Sequence, residues 1–291
     1  MLKTMKRLVA DKAIHPPPFM LDNMMYLCQM GSVAYGTATE YPDVDVYGFC
    51  VPPKSIIFPH IDGNIAGFDE VKGFDQWSEH HIKDNDKEYD FTVYTIIKYF
   101  VLVMQNNPNM IDSLFVPRNC ILHSTQVSEH LRENRRAFLH RGAWFKFKGY
   151  AYSQMTKMRN KKPEPGSKRE LLVLRYGYDV KFAVHLVRLL CEIEQILVEG
   201  DLDLQRHKEQ LKSIRNGEWS EPEVIRWAEV KELQLEQVYH DSSLSDRPDR
   251  ARIKRILLEC LEMHYGSLAH ILKTSVLDSD LILQQIRELV K

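Results

Sequence analysis

Two short motifs near the N-terminus combine residue types that bind phosphates and metal ions. The first is Gly31-Ser32, and the second, Asp43-x-Asp45, begins eleven residues after Ser32. An apolar run over residues 24–30 precedes the glycine and predicts a buried strand that ends in a sharp turn. A helix that begins at this turn directs free backbone N–H groups, and the positive end of its dipole, toward a bound anion. The first motif therefore predicts a phosphate-binding turn.

The second motif lies in an alternating segment, residues 43–51. Because side chains in a strand alternate between two faces, Asp43 and Asp45 should share one face. Val44 and Val46 then face a core. Adjacent carboxylates repel unless water or a cation lies between them, and hard ions such as Mg²⁺ prefer oxygen ligands. Asp-x-Asp is also common on exposed edge strands, but the preceding Gly-Ser turn favours a metal site.

A third set of candidates lies in residues 176–190, where Lys181, His185 and Arg188 are spaced i, i+4 and i+7. This spacing puts the three side chains on one face of a helix. Cations there could hold the outer phosphates of a nucleotide and stabilise departing pyrophosphate. His185 would orient the nucleotide or shuttle a proton, because an unperturbed histidine titrates near neutrality. The alternative is a solvated basic face with a histidine satisfied by its neighbours.

Basic and aromatic residues are interleaved over residues 146–162, and further basic residues follow at Lys168 and Arg169. Such a stretch can bind a nucleic-acid backbone and stack bases, with Lys148, Tyr150 and Lys168 as the expected contacts. It can equally form an amphipathic helix whose Tyr and Met side chains pack inside the protein. Both interpretations stay open from the sequence.

The chain changes character near residue 125. Before it, strands are predicted at residues 24–30, 43–51 and 88–94, and a helix over residues 95–106 ends at Asn107-Pro108. Asn107, Asn109 and Asp112 are expected in turn and helix-capping roles. After residue 125 the periodicity is helical. The predicted helices cover residues 127–141, 143–159, 169–199, 203–215, 221–239, 248–272 and 277–290.

The composition fits a globular protein of 291 residues, with 44% hydrophobic residues and a formal net charge of -1. The length predicts two domains. The net charge provides no overall attraction to nucleic acid, so any such contact needs a local basic patch. Five widely spaced cysteines without a Cys-x-x-Cys motif indicate neither a zinc site nor disulfides, which favours a reducing cytoplasm. The N-terminal residues argue against a signal peptide, and no stretch approaches the roughly 20 apolar residues of a membrane span, so no membrane association is expected.

The Gly-Ser turn, Tyr35-Gly36 and Asp43-x-Asp45 together resemble the signature of the DNA polymerase β-type nucleotidyltransferase superfamily. Longer segments resemble a branch of predicted nucleotidyltransferases from bacteria and phages that is sometimes linked to RNA repair: residues 30–36, 46–53, 107–115 and 176–185. The resemblance extends over most of the chain. It implies an α+β fold, with a nucleotidyltransferase-like mixed β-sheet and flanking helices in residues 1–125. An all-helical C-terminal domain, residues 126–291, would close the nucleotide cleft.

The resemblance also implies roles for individual residues. Gly31 and Ser32 would hold the triphosphate, while Asp43 and Asp45 would hold two Mg²⁺ or Mn²⁺ ions. One departure is Pro42, which stands where the superfamily usually has serine before the first aspartate. Proline has no backbone N–H, so a contact made through that group is lost.

The superfamily usually needs a third carboxylate on a neighbouring strand. Asp90 is the first candidate, because it alternates with the apolar residues of the strand predicted at residues 88–94. Glu88 shares its face and is the alternative. Both acids also fit an ordinary charged surface.

The predicted activity is transfer of a nucleoside monophosphate from an NTP to an acceptor hydroxyl, with pyrophosphate release. Asp43, Asp45 and Asp90 would be the catalytic and metal-binding residues. RNA, a protein side chain and a small molecule all stay open as the acceptor, and the sequence does not decide among them. Two other classes of protein remain open: a non-catalytic nucleotide-binding regulator and an RNA-binding module on the same fold.

Overall fold

The computed structural model describes residues 1–38, 43–58 and 73–266, without the side chain of Lys168. Predictions for Pro42, for the helix over residues 277–290 and for the end of the helix over residues 248–272 lie outside these ranges. No helix in the described part of the chain is both long and apolar enough to cross a membrane.

A mixed β-sheet forms the N-terminal half. Its strands in the described residues are β1 (Met24–Gln29), β2 (Val44–Cys50), β3 (Gln76–Asp84), β4 (Lys87–Thr95) and β5 (Ile121–Ser124). Their order is β3-β4-β2-β1-β5. β2 and β4 are parallel, and the other neighbouring strands are antiparallel. The mixed sheet that the sequence predicts is confirmed.

The sequence predicts β1, β2 and β4 but misses the two edge strands. β3 is mostly polar and only partly buried, so its side chains show no regular apolar face. β5 has four residues, all half-buried. A segment that short cannot establish an alternating pattern.

Helices flank the sheet and dominate the second half. Those in the described residues are α1 (Leu2–Ala10), α2 (Gly31–Ala34), α3 (Lys54–Ile57), α4 (Ile96–Met104), α5 (Pro108–Phe115), α6 (Gln126–Glu133), α7 (Ala143–Asn160), α8 (Lys168–Tyr176), α9 (Val180–Glu199), α10 (Lys208–Arg215), α11 (Glu221–Asp241) and α12 (Arg250–Tyr265). The single helix predicted over residues 169–199 is wrong. Gly177, with φ of 83°, ends α8, and the Asp179 side chain caps α9. Glycine ends helices readily because it adopts this left-handed conformation without strain.

Two clusters of buried side chains pack on the sheet. The larger cluster contains residues of α4 to α12 together with Phe49 of β2, and the smaller one contains α1 with Val44 and Val46. The core position predicted for these two valines is confirmed. Because strand side chains alternate, Asp45 faces the side of the larger, helical cluster. That cluster runs across residue 125 without a break, so the division into domains 1–125 and 126–291 stays a prediction.

Candidate active site

Parallel pairing of β2 and β4 brings two of the predicted carboxylates side by side. Asp45 is paired in register with Asp90, so the two side chains lie on the same face of adjacent strands. Burial, and then the negative charges of Asp90 and Asp43, raise the pKa of Asp45 to about 6. Lys181 and His80 act in the opposite direction. The three aspartates therefore lie within electrostatic reach of one another.

The Gly-Ser turn lies directly against this acidic group. Gly31 has φ of 68°, and a Cβ added to it would lie only 2.1 Å from Oδ2 of Asp45. The backbone N–H of Met30 donates to the carbonyl oxygen of Asp45 at 2.8 Å. The predicted helix does begin at Gly31, although α2 is only one turn long. Glycine is required here both for its backbone conformation and for the space that it leaves.

A cleft of about 650 Å³ opens beside the turn. This volume is within the range of small-molecule sites. Of the predicted residues, the cleft is lined by Gly31, Ser32, Asp43, Asp45, Lys181, His185 and Arg188. Asp90 is not part of its wall. The lining also includes residues that the sequence analysis missed, among them Tyr35, Leu172, Arg175, Tyr176, Val184, Arg215 and Asn216.

Positive charge is concentrated on the helical wall of the cleft. Burial, together with Arg169 and Arg215, lowers the pKa of Lys181. Burial and then the positive charges of Arg188 and Arg169 lower the pKa of His185 to about 3. His185 is therefore an uncharged imidazole at neutral pH, which favours the role of orienting a ligand over that of a proton shuttle.

Arg188 lies at the back of the cleft in a buried network. Its Nη1 donates to the hydroxyl of Tyr35 at 2.8 Å and to Oε1 of Glu192 at 3.1 Å, and it pairs with Asp112. The Tyr35 hydroxyl donates to Oδ2 of Asp112 at 2.7 Å. Since Tyr35 immediately follows α2, the network fixes the Gly-Ser turn to α5 and α9. Direct phosphate contact by Arg188 stays a prediction.

The capping role predicted for Asp112 is wrong. Its side chain is fully buried and pairs with Arg188. The sequence analysis missed this role because Arg188 lies 76 positions later, beyond any local pattern. Asn107 does cap α5, and its side chain accepts from the N–H of Met110 at 3.4 Å.

Two further contacts tie the helical half to the Gly-Ser turn. Gln205 donates from Nε2 to the carbonyl oxygen of Ala34 at 3.3 Å, and Arg215 donates from Nη1 to that of Thr37 at 2.9 Å. Arg169 contributes to the positive field while pairing with Asp179 at 2.8 Å. These arginines come from different helices, so no sequence spacing reveals their shared location.

A divalent cation fits the chemistry of the acidic group. Carboxylate oxygens are ligands that hard cations prefer, and burial together with the negative charges of Asp90 and Asp43 raises the pKa of Asp45. As the side chains stand, however, no three His, Cys, Asp or Glu residues in ranges 1–38, 43–58 and 73–266 are arranged to hold a metal ion together. Metal binding by Asp43, Asp45 and Asp90 therefore stays a prediction.

Of the residues predicted to contact RNA, Lys148 and Tyr150 are not among those that line the cleft. Lys148 pairs with Glu232 at 2.7 Å and with Glu236 at 3.2 Å. Tyr150 accepts at its hydroxyl from Nδ2 of Asn107 at 3.1 Å. α7 also buries Trp144, Phe147, Ala151 and Met158. Burial of Met158 agrees with the amphipathic-helix alternative, whereas Tyr150 and Tyr152 are exposed. The side chain of Lys168 lies outside the described atoms.

A mixed sheet that places aspartates beside a Gly-Ser turn is typical of nucleotidyltransferases related to DNA polymerase β. The chain belongs to the RlaP family, described as the RNA repair pathway DNA polymerase beta family, which matches residues 2–258. Among solved structures, it is similar to a nucleotidyltransferase-like protein from Exiguobacterium sibiricum 255-15, at 12% identity and a TM-score of 0.30. That match covers 99% of this chain and 80% of the other. A TM-score this low transfers no property, and no curated protein matches the chain.

Proposed function

We propose that the protein is a Mg²⁺-dependent nucleotidyltransferase that moves a nucleoside monophosphate from an NTP, such as ATP, to an acceptor hydroxyl and releases pyrophosphate. The observation that carries this proposal is the pairing of Asp45 with Asp90 beside the Gly31 turn, at the edge of a cleft with a cationic wall. Phosphoryl transfer needs this combination of carboxylates for metal ions and cations for phosphates.

Each wall of the cleft has a role in this reaction. Gly31 and Ser32 hold the triphosphate through the turn, and Lys181 offsets its charge. The neutral imidazole of His185 orients the nucleotide by hydrogen bonding. The apolar side chains of Leu172 and Val184 exclude water from the nucleoside end of the cleft.

The carboxylates would bind the metal ions and act on the acceptor hydroxyl. Asp43 and Asp45 would hold Mg²⁺ or Mn²⁺. Asp90 would complete the second metal site and would accept the proton of the acceptor hydroxyl. Bound metal supplies neutralisation of phosphate charge and a lower pKa for that hydroxyl. Arg188 contributes indirectly, because it holds Tyr35 and thereby the turn.

RNA is the proposed acceptor. The family description refers to an RNA repair pathway, which supports RNA over a protein side chain or a small molecule. Lys148, Tyr150 and Lys168 remain the proposed contacts. The cytoplasm is the proposed compartment, since the cysteines are all free and buried.

The experiment incubates the protein with each labelled NTP and Mg²⁺, together with total RNA or, separately, lysate protein. RNA labelling by the wild type is expected, and Asp43→Asn with Asp45→Asn should abolish it without unfolding the protein. A matched control combines Asp22→Asn and Asp86→Asn, two exposed aspartates, and should retain full activity. Labelling retained by the Asp43→Asn and Asp45→Asn variant would contradict the proposal.

A non-catalytic nucleotide-binding protein is the second candidate. It is favoured by the absence, within the described residues, of a three-residue metal cluster. It predicts NTP binding without any pyrophosphate release, whatever the acceptor. Pyrophosphate release in the same incubations would exclude it.

A further inference from the structure

The edge strand β3 carries a β-bulge next to the acidic group. Between the pairs Glu79 with Phe91 and Ile82 with Tyr89, β3 has one residue more than β4. His81, inside this bulge, has φ of 58°. Residues other than glycine rarely adopt this conformation, which costs about 1–3 kcal/mol, so it persists only where the surroundings enforce it. Bulges often occur next to active sites, where they redirect a group.

The bulge directs its polar groups toward Asp90. The backbone N–H of His81 donates to Oδ1 of Asp90 at 2.7 Å, and Nδ1 of His80 lies 3.6 Å from the same oxygen. The His81 ring lies 2.6 Å from Oε1 of Glu88. In a regular antiparallel ladder, a backbone N–H faces either the partner strand or solvent. The extra residue frees this N–H to bind a side chain instead.

We propose that the bulge is a positioning device, in which the backbone N–H of His81 holds the Asp90 carboxylate in place beside Asp45. The inference rests on the proposed function, because Asp90 matters to it as the third metal-binding carboxylate. His81 acts only through Asp90, so it is a positioning residue. A carboxylate that accepts a fixed hydrogen bond keeps its remaining oxygen directed at a ligand, as partners of metal ligands do in other sites.

Two substitutions at His81 separate the backbone N–H from the side chain. His81→Gly removes the ring but keeps the N–H and adopts positive φ without strain. His81→Pro removes the ring and the N–H, and its φ is fixed near −65°. The His81 side chain is 79% exposed, so neither change reaches the core. Proline is also tolerated on edge strands.

The first measurement is the affinity for Mn²⁺ in the presence of a saturating NTP. The EPR signal of free Mn²⁺ monitors the binding. We expect His81→Gly to match the wild type, whereas His81→Pro should weaken the affinity by about 10-fold to 100-fold. In transfer assays, His81→Pro should lower kcat while the KM for NTP stays unchanged, because the cleft that holds the nucleotide is intact. Equal affinity for the Pro and Gly variants would overturn the proposal.

Deletion of His81 provides a second variant if His81→Pro does not fold. It restores equal numbers of residues on β3 and β4, so the strands can pair as a regular ladder. The deletion variant should show the same loss of Mn²⁺ affinity, and retained affinity would again overturn the proposal. A different result would show that the proposed function itself is wrong. In that case the Asp43→Asn and Asp45→Asn variant would bind Mn²⁺ as the wild type does.

Discussion

Two cavities of this protein are lined by charged residues, but they differ in how those charges are partnered. One is the cleft beside the Gly-Ser turn. The other, here called the arginine cavity, has a volume of about 430 Å³. It is lined by Phe115, Val116, Pro117, Arg118, Arg132, Glu133, Arg135, Leu202, Asp203 and Leu204. Arg132 donates from Nη1 and Nη2 to the carbonyl oxygens of Leu114 and Val116, where it caps the end of α5. Arg118 pairs with Glu129 at 2.6 Å.

The cleft combines acidic and basic side chains, and some of them also lie near charges of the same sign. Burial, and then the other aspartates, raise the pKa of Asp45, whereas burial, and then neighbouring cations, lower the pKa values of Lys181 and His185. In the arginine cavity, burial lowers the pKa of Arg135, and neighbouring arginines lower it further. Paired charges keep a fold together, whereas charges held against their like reduce stability and are typical of sites that bind a ligand. The Gly-Ser turn and the neighbouring aspartates line the cleft and not the arginine cavity, so the cleft is the candidate functional site.

The largest effect is expected at Arg188, the partnered cation of the cleft. Arg188→Met leaves the buried carboxylates of Asp112 and Glu192 without a cation, so the free energy of unfolding should fall by about 3–5 kcal/mol. Urea unfolding measures the change.

Lys181→Met is the matched control, because Lys181 lies in the same helix and cleft. Its charge is disfavoured in the folded state, so stability should be retained or rise, while NTP affinity falls about 10-fold to 100-fold. Equal losses of stability for the two variants would show that Arg188 contributes no more to folding than Lys181 does.

Gly31→Ala is expected to have the next largest effect. The new methyl group would collide with the Asp45 carboxylate and strain the backbone, at a cost of about 1–3 kcal/mol, and NTP binding should be lost. Gly149→Ala is the control. Gly149 lies on an exposed face of α7, where an added Cβ would meet no atom of a neighbouring element within 4 Å. The substitution should raise stability by about 0.5–1 kcal/mol. Thermal unfolding and NTP titration of both variants test this, and full NTP affinity in Gly31→Ala would show that the turn is not essential.

Asp45→Asn should change how stability depends on pH. Folding raises the pKa of Asp45 from 3.8 to about 6, so the folded state binds the proton more tightly than the unfolded state. The contribution of Asp45 to stability is therefore present below pH 4 and lost as the pH rises through 6. Relative to the wild type, the variant should gain about 1–2 kcal/mol at pH 8 and nothing at pH 4. Urea unfolding at the two pH values measures this difference. An equal effect at both would show that folding does not raise the pKa of Asp45.

The smallest effect is expected at Lys148. Its pairs with Glu232 and Glu236 are partly exposed, so Lys148→Gln should lower stability by less than about 1 kcal/mol. If the proposed RNA contact exists, the salt dependence of RNA binding should decrease by a slope of about 1. An unchanged slope would limit α7 to a packing role.

The sequence reveals those parts of the site that depend on local pattern. Three features each lie within one short segment: the Gly-Ser turn, the alternation that puts Asp45 on the opposite face from the core valines, and the helical stripe with Lys181 and His185. The register between Asp45 and Asp90 depends on strand pairing across 45 residues, and a family resemblance was needed to select Asp90.

Contacts between distant segments could not be predicted. The pairing of Arg188 with Asp112 joins residues from α9 and α5, and only the folded core brings them together. The bulge at His81 lies in a polar edge strand whose pattern resembles a loop. A strand of this kind is stabilised by its neighbour β4 rather than by its own apolar face.

The central claim is that the carboxylates and the cationic wall form one site for a metal-bound NTP. The most direct test compares the urea midpoint at pH 8 with NTP plus Mg²⁺ and with NTP plus EDTA. Since a ligand stabilises only the state that binds it, the wild type should gain stability that requires Mg²⁺. The Asp43→Asn and Asp45→Asn variant should show no Mg²⁺-dependent gain, and a gain equal to that of the wild type would contradict the account.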